Sequence, residues 1–345
     1  MKATKVILAG LALAACGNDF DPQSAIVGVR VLGVKVETPY VKPGTKPKLE
    51  MLLVDHDHRP VNVVWMHGCK NPKGDIFHQC YPELARRLGD VYGGKRTTMS
   101  QEIPGLVTLG PSTTTEVAAD TITSRPPAPQ GSSPQGRGFV FFAACAGEVQ
   151  YDPARTGTES SGLPIRCVRP GTDEDLGDAD FVFGNTPLFV FAELQHQHPV
   201  IEGIAWDGGP LVQGACDAGC APGYACGSKN RCLPVVDRCT ASKEADCKTK
   251  GWKPVVARAS AELDPVASAL DKTPTLESLY VQYASTNGRF ENGAKVVNDP
   301  TKGWNDAYDG QFRAFKATSG ESTLYAVVRD NRGGQTWTSF DVIIR

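Results

Sequence analysis

The sequence predicts an all-β protein made of two β-sandwiches, with a disulfide-rich insertion between or within them. Its 36 glycines and 25 prolines are many for a helical protein and are typical of short strands joined by turns. Apolar and polar residues alternate over short stretches, which is the period of a half-buried strand. The 345 residues are enough for two ordinary domains.

The first predicted domain spans residues 25–203. Its pattern shifts register at Leu32-Gly33, where we expect a bulge or a change of sheet. Pro82 begins a short predicted helix over 82–88, and a Pro/Gly/Ser-rich loop is expected over 124–138. The predicted strands are residues 26–37, 49–53, 61–65, 139–145, 181–183 and 188–194.

The second predicted domain spans residues 204–345 and ends in a hairpin. Strands over 324–329 and 335–344 flank the turn Asp330-Asn331-Arg332-Gly333-Gly334, whose Asn and Gly residues supply positive φ angles. Trp337 is out of register with the apolar face of the last strand, so we expect either a bulge or an outward Trp. Further strands are predicted at 201–206, 253–259 and 276–284.

Two of these stretches resemble bacterial immunoglobulin-like and PKD-like domains. The first is the opening of the chain, with a Pro43-Gly44 turn between two strands and Trp65 in the third strand. The second is the final hairpin, which has a Val-x-Asp-x-x-Gly-Gly turn. The resemblance implies tandem immunoglobulin-like sandwiches.

The cysteine count indicates an oxidising compartment. With Cys16 set aside, ten of the eleven cysteines remain and can form five disulfides, which persist only outside reducing compartments. Proximity in sequence favours Cys69–Cys80 and Cys145–Cys167, one of three possible connectivities for those four residues.

Six cysteines fall within residues 212–250, in the second domain. They cannot build a hydrophobic core and are predicted to form a disulfide knot. Their spacing lacks the paired C-x2-C of common zinc sites, which disfavours zinc. The segment resembles small EGF-like or dickkopf-like modules, and the resemblance implies one of fifteen pairings: Cys216–Cys226, Cys220–Cys232 and Cys239–Cys247.

The N-terminus carries an export signal over residues 1–15. Lys2 and Lys5 precede an apolar stretch over 6–13, which is too short to cross a bilayer. Leu13-Ala14-Ala15-Cys16 resembles the lipobox of bacterial lipoproteins, which implies that Cys16 is acylated, with palmitate among the chains, and binds the lipid bilayer. Residues 16–24 would be a tether, and Gly17 after the cysteine favours the outer membrane.

The whole chain resembles uncharacterised surface lipoproteins of the myxobacterial kind. The resemblance rests on the lipobox, the tandem layout and the cysteine module. It implies a location, periplasmic or at the cell surface, and no activity.

No catalytic residue, metal ligand or cofactor is predicted. The sequence contains no G-x-S-x-G, H-E-x-x-H, P-loop or G-x-G-x-x-G motif. A net charge of −2 argues against nucleic acid as a partner. Three polar groups could hold a metal but are better explained as solvated loops or strand positions: residues 55–58 (Asp-His-Asp-His), the pair His196 and His198, and the run Asp173, Asp175, Asp178 and Asp180.

These features predict a non-enzymatic, lipid-anchored protein of the bacterial outer membrane. It would be a binding or adhesion-type scaffold for a protein or glycan partner that the sequence does not identify. Two alternatives stay open: a structural subunit of an envelope assembly, and a hydrolase whose active site is assembled from distant strands.

Overall fold

The computed structural model describes residues 23–128, 132–155, 162–211 and 214–345. Within these ranges the chain is built mainly of strands, and the predicted all-β fold of two β-sandwiches with five disulfides is confirmed. The export signal and Cys16 lie outside the described residues.

The first domain is built on one five-stranded sheet. Its elements are β1 (Val29–Val36), β2 (Tyr40–Val41), β3 (Lys48–Asp55), β4 (Asn62–Lys70), α1 (Tyr81–Tyr92), β5 (Thr97–Thr98), β6 (Val107–Leu109), β7 (Ser112–Thr114), β8 (Gln135–Cys145), β9 (Glu148–Tyr151), β10 (Ile165–Val168) and β11 (Phe181–Phe191). Short 3-10 turns lie at Lys73–Asp75, Phe77–Cys80 and Pro153–Arg155. The central sheet has the order β2-β11-β8-β4-β6.

Both faces of this central sheet are covered. On one face, Trp65 and Phe142 pack against the sheet β1-β3-β7. On the other face, Phe141 and its neighbours pack against α1 and the small sheet β10-β9-β5. This explains why β8 is apolar without interruption from Phe139 to Cys145, since a strand buried on both faces has no solvent side to make polar.

The second domain consists of two larger sheets. Its elements are β12 (Ile201–Trp206), β13 (Gly209–Pro210), β14 (Tyr224–Cys226), β15 (Cys232–Val236), β16 (Lys250–Val256), α2 (Pro265–Asp271), β17 (Leu279–Ser285), β18 (Arg289–Phe290), β19 (Ala294–Asp299), β20 (Gly303–Trp304), β21 (Gly310–Arg313), β22 (Gly320–Asp330) and β23 (Gln335–Ile344). Short 3-10 turns lie at Cys216–Ala218, Glu244–Asp246 and Arg258–Ser260. The sheets have the orders β13-β12-β16-β21-β18 and β14-β15-β23-β22-β17-β19-β20, and Trp252, Tyr283 and Phe312 are fully buried between them.

The cysteine-rich segment lies within the second sandwich. It enters between β13 and β16, and its strand β15 joins the seven-stranded sheet parallel to the end of β23, with Val236 opposite Ile344. The segment therefore extends a sheet of the second domain and does not bridge the two domains.

The two sandwiches are packed side by side, sheet on sheet. Leu32 and Val54, on the outer face of β1 and β3, lie against Val327 and Trp337 on the outer face of the seven-stranded sheet. The strands β22 and β23 pair without a bulge, so Trp337 is the outward Trp that the sequence allowed, and its contact is the first domain. At the bulge between Val31 and Gly33 the strand changes register. Val29, Val34 and Val36 therefore face the core of the first domain, whereas Leu32 faces the interface.

Several boundaries differ from the prediction. The strands predicted at 181–183 and 188–194 are the single strand β11, which tolerates Pro187 because β2 pairs only with Phe189 and Val190 on that side. The loop predicted to end at Gly138 ends where β8 begins, at Gln135, and β12 begins at Ile201, ahead of the predicted domain start at 204.

The predicted tether over 16–24 also ends differently. Ser24 is 1% exposed, and its hydroxyl donates to Phe290 O and accepts from Phe290 N, each at 3.1 Å. Ser285 N donates to Ser24 O at 2.9 Å. The chain is thus attached to the second domain before the first domain begins.

Candidate functional site

A buried group of ionisable side chains lies where the chain crosses between the domains. We call it the junction cluster; its members are His196, Glu262, Asp264, Glu277, Asp330 and Arg332, of which Glu262 alone is partly exposed. His196 belongs to the segment between β11 and β12, the next three residues flank α2, and the last two belong to the β22–β23 turn. Pairing of Leu279 with Asp330 brings these segments to one end of the seven-stranded sheet.

Asp330 builds the turn and also faces the cluster. Its Oδ1 accepts from the backbone N–H groups of Arg332 at 2.7 Å and Gly334 at 2.8 Å. A Cβ at Gly334 would collide with the Asp330 carboxylate, so the turn requires glycine there. The second oxygen, Oδ2, is left to accept from His196 Nε2 at 2.8 Å.

Asp264 is held by hydrogen bonds on both oxygens. Its Oδ1 caps α2 by accepting from Val266 N and Ala267 N at 2.9 Å, and accepts from Arg332 Nη2 at 2.6 Å. Asn331 Nδ2 donates to Oδ2 at 3.1 Å. Burial would raise the pKa of Asp264, but the Ala267 N–H and the Arg332 charge hold it below its usual value.

His196 donates to a carboxylate from each ring nitrogen. Nδ1 lies 2.7 Å from Glu262 Oε2, and Nε2 lies 2.8 Å from Asp330 Oδ2. Burial opposes the imidazolium, but the hydrogen bond and charge of Asp330, with the charge of Glu277, raise the pKa of His196 to about 9. The ring is therefore charged at neutral pH.

Glu277 is fully buried, and neither of its carboxyl oxygens has a hydrogen-bond partner. Oε2 lies 3.3 Å from His196 Nε2, whose hydrogen bond goes to Asp330. Burial raises the pKa of Glu277 to about 8, with the nearby His196 charge opposing it in part.

The first domain closes the cluster. The Tyr40 ring centroid lies 4.8 Å from that of His196, and the buried Tyr40 hydroxyl has no hydrogen-bond partner. Burial raises the pKa of Tyr40, so this hydroxyl is un-ionised. A cleft of about 490 Å³ leads to the cluster between residues 37–47 and 194–197.

The structure separates His196 from His198, which the sequence placed on one strand face. His198 Nε2 donates to Val36 O at 2.8 Å, and its Nδ1 accepts from Gln335 N at 3.1 Å. Burial lowers the pKa of His198, in keeping with a neutral ring that links the domains.

In the other two polar groups considered from the sequence, several of the carboxylates bind arginines. Arg59 binds Asp55 at 2.7 Å and Asp180 at 2.5 Å. Arg166 binds Asp173 at 2.9 Å and Asp175 at 2.8 Å. These carboxylates neutralise cationic side chains, and among the residues that the structure describes no group of metal-ligand side chains includes residues 55–58.

The ten cysteines are joined as Cys69–Cys80, Cys145–Cys167, Cys216–Cys226, Cys220–Cys232 and Cys239–Cys247, with Cα–Cα distances of 5.5 to 5.7 Å. These are the pairs set out from the sequence. Cys216, Cys220 and Cys232 lie close enough to hold a metal, but their sulfurs are bonded to other sulfurs and offer no thiolate.

Sequence reasoning missed Glu262, Asp264 and Glu277. Glu277 lies inside the predicted strand 276–284, where its apolar neighbours gave no sign of a buried acid. Asp330 was noticed only as a turn residue. The local signal at Glu277 was an acidic residue near the start of a predicted strand. Such a position is common on protein surfaces and does not indicate a buried acid.

Within the described ranges of the chain, no helix has both the length and the apolar character needed to cross a bilayer.

No protein-family model matches the sequence, and no curated protein matches it significantly. Among solved structures, it is similar to the N-terminal eight Ig domains of the Down syndrome cell adhesion molecule, at 11% identity and a TM-score of 0.19. That match covers 92% of this chain and 25% of the other, so this chain spans about a quarter of its length.

Two further similarities are of the same kind. Escherichia coli alpha-2-macroglobulin shares 8% identity at a TM-score of 0.20, with 92% of this chain and 22% of that one covered. The YadV chaperone shares 10% identity at a TM-score of 0.18, with 90% and 99% covered. Scores this low carry no argument about function, which must come from the chain itself.

Proposed function

We propose that this protein is a non-enzymatic display scaffold, anchored to the bacterial outer membrane through acylated Cys16, that presents a binding surface to a protein or glycan. The observation that carries the proposal is the fixed attachment of Ser24 to the second domain, next to two sandwiches packed sheet on sheet. Seven residues, 17–23, separate Ser24 from Cys16, so the anchor would leave the protein from this side of the second domain.

The attachment gives the molecule two different ends. Ser24 lies at the end of β17, since it accepts from Ser285 N, and Ser285 pairs with Leu324 in the first half of β22. The cysteine-rich segment lies at the same end, where Ser228 Oγ donates to Glu321 Oε2 at 2.9 Å. The junction cluster lies at the other end of β17, where Leu279 pairs with Asp330, and the six residue steps from Ser285 to Leu279 separate the two places by about 20 Å at about 3.3 Å per residue.

The end remote from the anchor carries exposed apolar side chains. Leu263 is 57% exposed and Leu276 is 41% exposed, and the two residues form a β-bridge beside α2. Val200, 50% exposed, lies nearby, since its backbone accepts from Ala257 N and donates to Ser260 Oγ. Exposed aliphatic side chains with a polar rim are typical of binding surfaces.

The anchor is tested by intact-mass analysis of the mature protein, wild type against Cys16→Ala. We expect an added acyl mass and a membrane-bound fraction in the wild type only. Masses that differ only by the sulfur lost in Cys16→Ala, with both proteins soluble, would contradict the anchor.

The binding surface is tested by placing a photo-crosslinking amino acid at Leu263 in cells, with Val91 on α1 as a control that is 48% exposed. We expect a defined adduct from position 263, lost when Leu276 is changed to Glu, and none from position 91. Adducts of equal yield from both positions, or from neither, would contradict display from this end. A stable adduct with one fixed envelope neighbour would favour the structural subunit.

A further inference from the structure

We propose that His196, Glu277 and Asp330 form a binding site for a divalent metal ion of the Zn²⁺ class at the joint between the domains. One ligand atom from each residue lies within 4.8 Å of the other two. The three side chains are 2%, 0% and 1% exposed, so an ion held by them would be shielded from solvent.

The spacing of the ligand atoms fits a small ion. His196 Nε2 lies 2.8 Å from Asp330 Oδ2 and 3.3 Å from Glu277 Oε2. Bonds of about 2.0–2.2 Å to a tetrahedral Zn²⁺ place its ligand atoms about 3.3–3.6 Å apart. The Glu277 distance fits this spacing, and Asp330 Oδ2 would have to move away from Nε2 by about 0.5–0.8 Å. The ion would take the place of the Nε2 proton, which is released to solvent on binding.

Glu277 supplies an observation independent of the clustering of acids. A buried carboxyl group almost always has a hydrogen-bond partner, because burial without one costs free energy. Neither oxygen of Glu277 has such a partner, although its backbone is held in place by Asn298 Nδ2, which donates to Glu277 O at 2.6 Å. A metal ion would satisfy the oxygen that faces His196.

Hydrogen bonds from neighbouring groups orient two of the three ligands, as they do in known metal sites. His196 Nδ1 donates to Glu262 Oε2, the carboxylate–histidine arrangement that orients a metal-binding imidazole. Asp330 is fixed by two backbone N–H groups on its other oxygen. The imidazole of His196 and the carboxylate of Asp330 are thus held in place by groups of the protein before any ion binds.

The ligand types select the class of metal. Ca²⁺ and Mg²⁺ prefer oxygen ligands throughout, whereas an imidazole nitrogen with carboxylates suits Zn²⁺ and its neighbours in the first transition row. His196 belongs to the crossing segment and the other two ligands to the second domain, with Tyr40 of the first domain stacked on the imidazole. An ion here would fasten the crossing segment to the second domain.

The site is tested on the full mature chain, purified in detergent and dialysed against a chelator. We expect isothermal titration with ZnCl₂ to give one equivalent, Co²⁺ to give a tetrahedral absorption spectrum, and Zn²⁺ to raise the melting temperature. CaCl₂ should give neither heat of binding nor a shift. Absence of stoichiometric Zn²⁺ binding, or equal binding of Ca²⁺, would overturn the proposal.

Three variants assign the ligands. Glu277→Gln keeps the side-chain volume, and its folding can be checked by circular dichroism; we expect loss of Zn²⁺ binding and of the Co²⁺ spectrum. Glu262→Gln should weaken binding by about 10- to 100-fold, since it removes only the group that orients His196. Asp173→Asn, a carboxylate of the first domain, should bind as the wild type does. Full binding by Glu277→Gln would overturn the assignment.

Discussion

Replacing Trp337 with alanine should loosen the packing of the two domains while leaving each sandwich intact. Trp337 is on the outer face of β23, where it packs with Leu32 and Val54 of the first domain. It contributes nothing to the core of its own sandwich, whose residues alternate with it along the strand. The change therefore acts on the interface.

The expected loss follows from the area buried. A Trp side chain buries about 150–250 Å², and apolar burial contributes roughly 25 cal/mol per Å². Because Trp337 is only partly buried, we take roughly 120 Å², which corresponds to about 3 kcal/mol. Hydrogen bonds from Arg329 to Leu32 O and from Gln335 to Val34 O remain and keep the domains in contact.

The assay is urea unfolding followed by circular dichroism and by fluorescence, together with small-angle scattering. We expect one transition in the wild type and two in Trp337→Ala, because weaker coupling lets one domain unfold before the other. The matched control is Trp304→Ala, which removes a Trp packed only on the second domain. It should lower stability without splitting the transition.

The result that would refute this reasoning is a single transition in Trp337→Ala with the wild-type midpoint. A radius of gyration equal to that of the wild type, measured between the two transitions, would also contradict loosening at this interface.

Three further changes test other parts of the molecule. Burial holds the pKa of His67 at about 4, so the unfolded state binds a proton from pH 6.5 downwards and the native state does not. The contribution of His67 to stability should fall by roughly 3 kcal/mol between pH 6.5 and 4, and urea unfolding of the wild type should lose this much more stability over that range than urea unfolding of His67→Gln. Replacing Cys145 and Cys167 with serine opens a loop of sequence separation 22. It should lower the free energy of unfolding, measured with urea, by about 3 kcal/mol. Ser24→Ala leaves the Phe290 N–H buried without its partner and should cost about 1–3 kcal/mol and expose the N-terminal segment to proteolysis.

Each of these has a matched control. His78→Gln changes an exposed histidine and should keep the acid sensitivity of the wild type. Serines at Cys239 and Cys247 open a loop of separation 8 and should cost less than the longer loop. Thr123→Ala should leave proteolysis unchanged. The three arguments would be wrong, respectively, if His67→Gln were as acid-sensitive as wild type, if the two disulfides cost the same, or if Ser24→Ala resisted protease.

The sequence by itself determined the class of fold and most of its strands. Alternating side chains and Pro/Gly turns are local signals, because a strand exposes every second residue and a tight turn needs particular backbone angles. The Leu32-Gly33 shift marked the bulge in β1, and the turn at Asp330 marked the final hairpin. The ten cysteines other than Cys16 pointed to five disulfides, because an even number can pair completely.

Only the tertiary structure decided what meets at the joint. Glu277 and His196 are 81 positions apart, and their approach depends on the pairing of β17 with β22 and on the path of the crossing segment. The contact of Trp337 with the first domain likewise depends on which faces of two sheets pack together. Such long-range contacts are set by strand register and sheet packing, which local periodicity does not encode.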